Sequence, residues 1–495
     1  MPKQPPAVTL TTLPLNRAEP TPLYRQVYAG VRAMILRGQL RAGTRLPSTR
    51  DLATEMDLSR ATVQNAFEQL LAEGYLQGRI GAGTYVADVL PHEQWSSPRK
   101  RATVNPTPRG RTVSERGELL LQVERSLVTQ RLATRHNAFR VGLSAVDEFP
   151  KTVWARLLAR RWRQADTSFM RYHEAAGYQP LREAIAAYIG AARGVRCQTE
   201  QVIIVAGSQQ ALDLSARVLL NPGDDAWIED PGYLGARGAL LSAGAQLVAV
   251  PVDENGLVVN EGIKRSPSAR LAYISPSHQY PLGVTLSLAR RLALLGWANQ
   301  TGAWILEDDY DSEYRFSGRP LAALQGLDNE GRVIYIGTFS KTLFPALRLG
   351  YVVVPTDLID VFAAARFVAD RHSSVLEQAT LADFIADGHF ARHIRRMRAL
   401  YAERQSALLE AAQHELAGLL QLVPAETGMH LTGWLPKGVD DRWVAKQAAE
   451  QDVEVSPLSW HCLTPPKRGA LLLGYGAVNA VEIRAGVKRL AKALR

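Results

Sequence analysis

Apolar residues recur at helical spacing near the N-terminus of the chain. The first such stretch covers residues 24–37, and its apolar face is Val27, Val31, Met34 and Ile35. A second helix is predicted to begin at Ser48 and a third at Ser59, because serine is a favoured N-cap, and Asp51 completes a capping box with Ser48. A Gly81-Ala82-Gly83 turn then joins residues 75–77 to 84–86. Residues 21–88 are therefore predicted to form three helices and a hairpin.

The third helix is predicted to be amphipathic. Its apolar stripe is Val63, Ala66, Phe67, Leu70 and Leu71. Its first turns instead gather polar and basic side chains, which are Arg60, Thr62, Gln64 and Asn65. This arrangement suits a recognition helix, whose N-terminal residues meet base edges and phosphates in the major groove of DNA. Any amphipathic three-helix unit gives part of the pattern.

Residues 89–135 interrupt the apolar pattern. They are rich in Pro, Arg, Ser and Thr, with a basic run at 99–101 and prolines at Pro91, Pro98, Pro106 and Pro108. Such a stretch cannot bury a core, so we predict an extended, partly mobile linker.

From residue 136 to 495, short apolar runs alternate with amphipathic helices, as is typical of an α/β domain. The predicted strands are Gln201–Gly207, Ala226–Glu229, Leu247–Val252, Leu271–Ser275, Ala303–Leu306, Arg332–Gly337 and Leu349–Val354. Their near-continuous Val, Ile and Leu content indicates a mainly parallel sheet that is buried on both faces. After Ser373 the pattern becomes helical, and a smaller α+β piece closes the chain. The predicted fold class is thus multidomain, an α+β helix-turn-helix unit followed by an α/β domain with a smaller C-terminal α+β subdomain.

Composition excludes several classes of protein. A chain of 495 residues is long enough for two to four domains. No apolar run approaches the length of a membrane span, and the N-terminus lacks the apolar stretch of a secretory signal. Cys197 and Cys462 cannot make a disulfide framework and do not resemble a metal site. We therefore expect a cytoplasmic protein with no bound metal.

Positive charge is concentrated at one end of the chain. The formal net charge is +10; residues 1–112 carry 15 Lys and Arg against 8 Asp and Glu, and the rest of the chain carries 43 against 40. Clustered positive charge is typical of a polyanion-binding region, although a solvated basic arm gives the same signature. Together with the recognition-helix pattern, it predicts that the partner is double-stranded DNA.

Lys341 follows a predicted buried strand, in the run Gly-Thr-Phe-Ser-Lys. Lysine is scarce in this chain, with ten residues against 48 arginines, so the Lys341 side chain is not an ordinary solvent-exposed charge. Burial and neighbouring cations would lower its pKa and favour the nucleophilic neutral amine. A lone lysine after a strand is usually structural, so the interpretation depends on its neighbours.

An acidic run, Glu-Asp-Asp-Tyr-Asp at 307–311, ends another predicted strand. Asp308 stands 33 residues before Lys341, and its carboxylate could keep the nitrogen of a bound pyridine ring protonated. Tyr310 could hydrogen-bond a phenolic oxygen on the same bound ring. Acidic clusters at strand ends also bind metals, but no histidine stands at suitable ligand spacing nearby.

An anion site is predicted at residues 206–210, Ala-Gly-Ser-Gln-Gln, which follow a strand and open a helix. Arg348 can grip a phosphate with two donors, and Tyr233 could stack on a ring, although a core tyrosine gives the same pattern. An amine, a carboxylate, a phosphate cradle and an aromatic platform are what pyridoxal 5'-phosphate requires of a protein.

Longer motifs carry a family resemblance. The string LPSTRDLATEMDLSRATVQNAFEQLLAEGYLQGRIGAGTYVA resembles the winged helix-turn-helix of GntR regulators. The ordered motifs AGSQQAL, EDPGY, SPSHQYPLG, EDDYDSEY and GTFSKTLFPALRLG resemble fold-type I aminotransferases. Together they resemble the MocR subfamily of GntR regulators over nearly the whole chain, in which a winged helix-turn-helix is fused to a fold-type I aminotransferase-like domain.

The resemblance implies roles for individual residues. Lys341 would carry the aldimine of pyridoxal phosphate, and the implied cofactor lining is Asp308, Tyr310, Tyr233, Ser208, Gln209, Thr338 and Arg348, with His278-Gln279-Tyr280 in a nearby loop. Tyr172 resembles the aminotransferase tyrosine that reaches the neighbouring subunit's phosphate. The implied DNA contacts are Arg50, Ser59, Arg60, Thr62, Gln64 and the wing around Gly81. The implied assembly is a head-to-tail, domain-swapped homodimer in which each DNA reader lies across its partner's aminotransferase domain.

The sequence departs from an aminotransferase near its C-terminus. Aminotransferases fix the substrate carboxylate there with an arginine, and Leu472 occupies the corresponding position in the stretch 470–476. A leucine lacks the paired donors that orient a carboxylate, and losing them costs about 10²-fold or more in affinity. Alignment leaves Arg468, Arg484 and Arg319 as other sources of such a clamp.

We therefore expect a regulator that senses the cofactor itself and controls vitamin B6 synthesis or salvage genes, rather than an enzyme. Two alternatives stay open. One is a regulator that senses an amino acid or amine through an external aldimine, and the other is a working aminotransferase. A binding module without cofactor agrees least with the motifs.

Overall fold

The computed structural model describes residues 10, 13–79, 82–88, 113–128, 138–316 and 321–495, with the side chains of 123–128 excepted. The chain divides into two compact units, Met1–Arg111 and Thr112–Arg495. Within the described residues, no helix combines the length and the apolar character needed to cross a membrane.

The described part of the N-terminal unit consists of helices and one hairpin: α1 (Leu23–Leu36), α2 (Thr49–Glu55), α3 (Arg60–Ala72), β1 (Leu76–Arg79) and β2 (Gly83–Val86). Ser48 caps α2 by accepting the N–H of Asp51, and Ser59 caps α3 by accepting the N–H of Thr62. Both predicted N-caps are confirmed. The Asp51 carboxylate accepts the Ser48 hydroxyl at 2.7 Å.

The core of this unit lies between α1, α3 and the hairpin. It includes Val27, Val31, Ile35, Val63, Ala66, Phe67 and Leu70. Leu71, which the pattern assigns to the apolar stripe, is 37% exposed, so that prediction is wrong. The stripe is already complete with Val63, Phe67 and Leu70, and Leu71 falls at its solvent edge. The hairpin pairs Leu76 with Val86, and Gly81 of its predicted turn lies outside the described residues.

A helix, α4 (Glu115–Val128), occupies part of the segment 89–135. The prediction of an extended linker is therefore wrong for these residues. All prolines of the segment precede residue 109, whereas 113–128 contain none and are rich in Glu, Leu and Arg, which favour helix. The composition averaged over the whole segment hides this local change. Helix α4 lies against Leu234–Ser242 of the same unit.

A mixed sheet of eight strands forms the centre of the second unit, in the order β3-β10-β9-β8-β7-β4-β5-β6. Its strands are β3 (Val202–Val205), β4 (Asp225–Asp230), β5 (Gln246–Asp253), β6 (Gly256–Leu257), β7 (Leu271–Ile274), β8 (Trp304–Asp309), β9 (Val333–Thr338) and β10 (Gly350–Val353). From β5 through β4, β7 and β8 to β9 the pairing is parallel, whereas β10 is antiparallel to both β9 and β3. All seven predicted strands are confirmed, and the short strand β6 is an addition.

Helices cover both faces of this sheet, and more of them continue into the C-terminal part. They are α5 (Lys151–Gln164), α6 (Gln179–Arg193), α7 (Ser208–Leu219), α8 (Leu234–Ser242), α9 (Val259–Arg265), α10 (Leu288–Thr301), α11 (Phe339–Thr342), α12 (Ile359–Asp370), α13 (Val375–Ala386), α14 (His389–Glu415), α15 (Asp441–Glu450) and α16 (Ala480–Leu494). Neighbouring residues along a strand enter different cores, as Trp227 and Ile228 of β4 do. The prediction of strands buried on both faces is confirmed.

A smaller antiparallel sheet lies in the C-terminal part, in the order β11-β12-β14-β13. Its strands are β11 (Gln421–Leu422), β12 (His430–Trp434), β13 (Ser456–Pro457) and β14 (Ala470–Gly474). Leu471 and Leu473 of β14 pack in one core with Leu408 of α14 and Val487 of α16. The predicted smaller α+β piece is confirmed.

The N-cap of α3 provides a stability test. Replacing Ser59 by Ala removes the acceptor of the Thr62 N–H, so we expect the local stability of α3 to fall by about 1 kcal/mol. Hydrogen exchange of the α3 amides in the intact protein should become about five-fold faster. The control is Asn65→Ala, because Asn65 is an exposed position within the same helix and Ala favours helix. Unchanged exchange in Ser59→Ala would contradict the capping role.

Candidate functional site

A cavity of about 200 Å³ opens at the carboxyl ends of β8 and β9. Six residues predicted from sequence line it together: Lys341, Asp308, Tyr310, Tyr233, Ser208 and, from the predicted loop at 278–280, Tyr280. They come from α11, the end of β8, the N-termini of α7 and α8, and the loop that follows β7. The strand order explains why these residues lie together, because the loops that follow neighbouring parallel strands share one edge of the sheet.

The Lys341 amine lies deep in this cavity. Its Nζ donates to the carbonyl oxygen of Gly142 at 2.7 Å. Burial lowers its pKa, and the nearby carboxylates of Asp311 and Asp308 only partly oppose that shift. The turn that carries it is fixed by Tyr314, whose hydroxyl donates to the carbonyl oxygen of Lys341 at 3.1 Å. The site therefore holds an amine that is more readily neutral than an exposed lysine.

Asp308 carries an unsatisfied acceptor. Its Oδ2 accepts the Tyr273 hydroxyl at 2.9 Å, whereas its Oδ1 is buried and has no hydrogen-bond partner among the described residues. Burial raises the pKa of Asp308 to about 7, against the hydrogen bond from Tyr273. An N–H donor that entered the cavity would satisfy Oδ1, and a protonated pyridine nitrogen fits that requirement.

The predicted anion cradle is built at the start of α7. Gly207 has φ +96°, and a Cβ there would stand 3.3 Å from the Arg348 guanidinium. Arg348 also donates to the carbonyl oxygen of Ala206. The arginine and the first turn of α7, with its Ser208 hydroxyl, thus converge on one place, where a phosphate would meet helix N–H groups and a bidentate donor.

The remaining predicted cofactor residues lie around the cavity rather than on its lining. Gln209 donates its amide to the carbonyl oxygen of Gly235 at 2.9 Å. Thr338 caps α11 by accepting the N–H of Ser340. His278 is buried behind Tyr310, with its Nδ1 3.0 Å from the Tyr310 hydroxyl.

Tyr172 lies away from the cavity. Its side chain is 78% exposed, and the Arg371 guanidinium stands over its ring at 4.7 Å. This position agrees with a residue that acts on another subunit, which stays a prediction.

Sequence reasoning missed six residues that line the cavity: Val141, Gly142, Tyr273, Asp311, Met429 and His430. Asp311 stands in the acidic run, but nothing in that run distinguishes it from its neighbours. Tyr273 is hidden among the apolar residues of β7, and His430 lies on β12, far along the chain. Burial lowers the pKa of His430 to about 3, so its imidazole is neutral.

The arginine clamp is absent from the described lining of the cavity. Leu472 lies in β14, fully buried, with Thr432 and Ser456 beside it in register. Arg468 donates to the carbonyl oxygen of Leu435 instead, and Arg484 is exposed on α16. The third alternative, Arg319, lies outside the described residues.

Arg140 lines a second pocket of about 360 Å³, which shares Val141, Tyr233 and Tyr280 with the lining of the cavity. Its guanidinium stands 3.4 Å from a carboxylate oxygen of Glu454. A positive charge therefore lies next to the cavity, but it is matched by a carboxylate.

The predicted DNA contacts lie at the N-termini of α2 and α3. Arg50, Arg60 and Gln64 are exposed. The Ser59 hydroxyl stands 2.8 Å from the Thr62 hydroxyl, so both are engaged in the helix cap. Gly81, the predicted wing contact, lies outside the described residues.

Comparison with known proteins places both units in families. A model of bacterial regulatory proteins of the gntR family matches residues 23–86, and one of class I and II aminotransferases matches residues 139–487. The probable rhizopine catabolism regulatory protein MocR of Rhizobium meliloti is 43% identical over 97% of this chain and 95% of that protein. The chain belongs to the MocR subfamily of GntR regulators. It is a transcriptional regulator with a DNA-binding helix-turn-helix unit and a fold-type I aminotransferase domain.

Other relatives of this MocR-type regulator have different roles. The pyridoxine biosynthesis transcriptional regulator PdxR of Corynebacterium glutamicum is 31% identical, with 95% of each chain covered. LysN, an α-aminoadipate aminotransferase from Thermus thermophilus, is 30% identical in sequence to this chain. Its crystal structure matches the present structure with a TM-score of 0.70, over 77% of this chain and 97% of that chain. The LysN crystal contains N-(5'-phosphopyridoxyl)-L-leucine.

The state of Lys341 can be tested by its reactivity. Cyanate reacts with neutral amines, so the lowered pKa of Lys341 should bring its carbamylation to half-maximal rate at a lower pH than that of the exposed Lys488. Mass spectrometry of peptides from protein treated across a pH series measures both rates. A Lys341 profile that requires an equal or higher pH than that of Lys488 would show that burial does not favour the neutral amine.

Proposed function

We propose that this regulator binds pyridoxal 5'-phosphate in the cavity, attaches it to Lys341, and uses its occupancy to control DNA binding. The observation that carries the proposal lies in one cavity, where a buried amine of lowered pKa stands with a buried oxygen of Asp308 that has no hydrogen-bond partner in the described part of the chain. The bound cofactor would supply an aldehyde for the amine and a pyridine nitrogen for the carboxylate.

Other residues would hold the rest of the cofactor. The start of α7 and Arg348 would bind its phosphate, supported by Gln209 and Thr338 nearby. Tyr233 would lie against the ring, and Tyr310 would donate to the phenolic oxygen. These residues come from elements that the fold brings to one edge of the sheet.

We infer that the signal is the supply of pyridoxal phosphate itself, with vitamin B6 synthesis or salvage genes as the targets. Leu472 supports this, because the cavity keeps groups suited to the cofactor but lacks an arginine clamp in its described lining. The likeness to a pyridoxine biosynthesis regulator supports it as well. In this proposal the aminotransferase domain is a sensor rather than an enzyme.

A second candidate signal is an amine that reacts with the bound cofactor. The pocket lined by Arg140 supports this alternative, because it adjoins the cavity and has room for a further ligand. The likeness to a protein described as a rhizopine catabolism regulator supports it too. A working aminotransferase has the same fold but would need the clamp that Leu472 replaces.

The proposed assembly is a homodimer that is completed around Tyr172. Large apolar side chains are exposed on two segments of the second unit, Met170 and Tyr172 on one and Phe367 and Val368 on the other. Arg371 stands over the rings of both Tyr172 and Phe367, which links the two segments into one surface. A second copy that covered this surface would bring Tyr172 towards the phosphate of its partner.

The first test concerns attachment. Incubation with pyridoxal phosphate should give the parent a visible absorption band that survives dialysis, and borohydride should fix the cofactor on the peptide that contains Lys341. Lys341→Ala should lose the covalent product and bind the cofactor at least about ten-fold more weakly, because the amine is removed. Lys488→Ala, at an exposed position, is the control and should behave as the parent. Borohydride fixation at another lysine would refute the assignment.

The second test separates the two signals. DNA fragments recovered by genome-wide mapping of bound promoters would be titrated with the cofactor-free protein. If the cofactor is the signal, pyridoxal phosphate alone should shift the DNA affinity by about five-fold or more, and added amines or amino acids should leave it unchanged. Dependence on an added amine would favour the second candidate. No response to either would exclude both.

A further inference from the structure

Three side chains in hydrogen-bond contact with one another lie beside the cavity. The Nδ1 of His278 is 3.0 Å from both carboxylate oxygens of Asp311 and 3.0 Å from the hydroxyl of Tyr310. The His278 and Asp311 side chains are each only 1% exposed. Tyr310 and Asp311 line the cavity, whereas His278 stands behind them. The cluster is thus a buried Asp–His–Tyr arrangement next to the proposed cofactor.

The position of one proton follows from this geometry. A carboxylate only accepts hydrogen bonds, so Nδ1 must carry a proton in order to bond to Asp311. The other ring nitrogen, Nε2, is buried without a hydrogen-bond partner among the described residues. An unpaired N–H is costly in such a place, so the neutral ring protonated at Nδ1 fits best.

This tautomer decides what Tyr310 can do. Because Nδ1 bears the proton that it donates to Asp311, it cannot accept the Tyr310 hydroxyl, so the hydroxyl proton must point elsewhere. Burial and nearby carboxylates raise the pKa of Tyr310 well above its ordinary value, so the hydroxyl keeps that proton. The cavity is the remaining direction that offers an acceptor once the cofactor is bound.

We propose that His278 and Asp311 are positioning residues that hold the Tyr310 hydroxyl as a hydrogen-bond donor to the phenolic oxygen of pyridoxal phosphate. This inference rests on the proposed function. Without the charge of Asp311, the imidazole could move its proton to Nε2, and Nδ1 would then accept the Tyr310 hydroxyl. Tyr310 would be turned away from the cofactor.

Other charged and titratable groups face this region, and they set the background of any measurement. They are Asp308, Lys341, Arg348, Glu229, Tyr280 and His430. The Asp311 charge also acts directly on Lys341, where it raises the pKa of the amine. Removing that charge alone would lower the pKa of a nitrogen at this place, so a simple charge role and the positioning role have opposite signs.

The test is a double-mutant cycle on the pH at which the visible band of the bound cofactor changes. In the parent, Tyr310→Phe removes a donor to the phenolic oxygen, which makes that oxygen more basic. The proton that this oxygen shares with the Lys341 nitrogen is then retained to a higher pH. The midpoint should rise by roughly one pH unit. In an Asp311→Asn background, the same substitution should move the midpoint by less than about 0.3 unit, the scatter of independent sites.

The control is Glu307→Gln, another buried carboxylate of the same acidic run, which accepts the backbone N–H groups of Leu324 and Gln325 instead. There Tyr310→Phe should give the full parental shift. Should Asp311→Asn fail to fold, as judged by circular dichroism, His278→Gln replaces it in the cycle with the same expectation.

Equal shifts from Tyr310→Phe in the parent and Asp311→Asn backgrounds would overturn the positioning role, because Asp311 would then act without Tyr310. Absence of any shift in the parent would overturn it as well, since Tyr310 would not donate to the cofactor. A parent that forms no visible band would instead refute the proposed function itself, and this appears in the first titration.

Discussion

The removal of the Lys341 amine from water is the constraint on which the rest of the site depends. A buried ammonium loses hydration worth several kcal/mol, and the carbonyl oxygen of Gly142 with two nearby carboxylates replaces only part of it. The resulting fall in pKa makes the neutral amine accessible, and the neutral amine is the nucleophilic form. The hydrogen bond from Tyr314 to the carbonyl oxygen of Lys341 restrains the backbone of the turn, and the hydrogen bond from Nζ to Gly142 holds the amine in the cavity.

The pleat of β8 directs neighbouring carboxylates of the acidic run to opposite faces of the sheet. Alternate residues of a strand point to opposite faces, so Asp308 enters the cavity while Glu307 and Asp309 turn the other way. Asp309 pairs with Arg193 at 2.8 Å, and Glu307 accepts backbone N–H groups. Asp311, past the end of the strand, returns to the cavity side. The four carboxylates are thereby divided between two sides of the strand, although Asp309 and Asp311 still contribute to the raised pKa of Asp308.

Much of the large sheet could be predicted, because its strands are continuous Val, Ile and Leu runs and its site residues stand directly after them. The site residues that could not be predicted from the sequence are of two kinds. Tyr273 belongs to a strand and differs from a core residue only by the hydrogen bond its hydroxyl makes to Asp308. Gly142 and His430 reach the cavity through long-range packing, which local periodicity does not record. Helix α4 was hidden for a different reason, because prolines earlier in its segment dominated the composition.

The surroundings of Leu472 bear on the ligand proposed for this regulator. Leu472 stands between Thr432 and Ser456 on the face of the small sheet opposite the core that holds Leu471 and Leu473. On the same side, Thr432 donates to the carbonyl oxygen of Pro281 at 3.0 Å, and the His430 ring contacts that oxygen at 3.1 Å. Burial keeps this imidazole neutral. Of these residues, His430 is the one that belongs to the described lining of the cavity, and a neutral ring does not pair with the carboxylate of an amino acid as a cation would. A ligand whose charge is carried by a phosphate, bound as proposed by Arg348 and the start of α7, agrees with these surroundings better than an amino acid does.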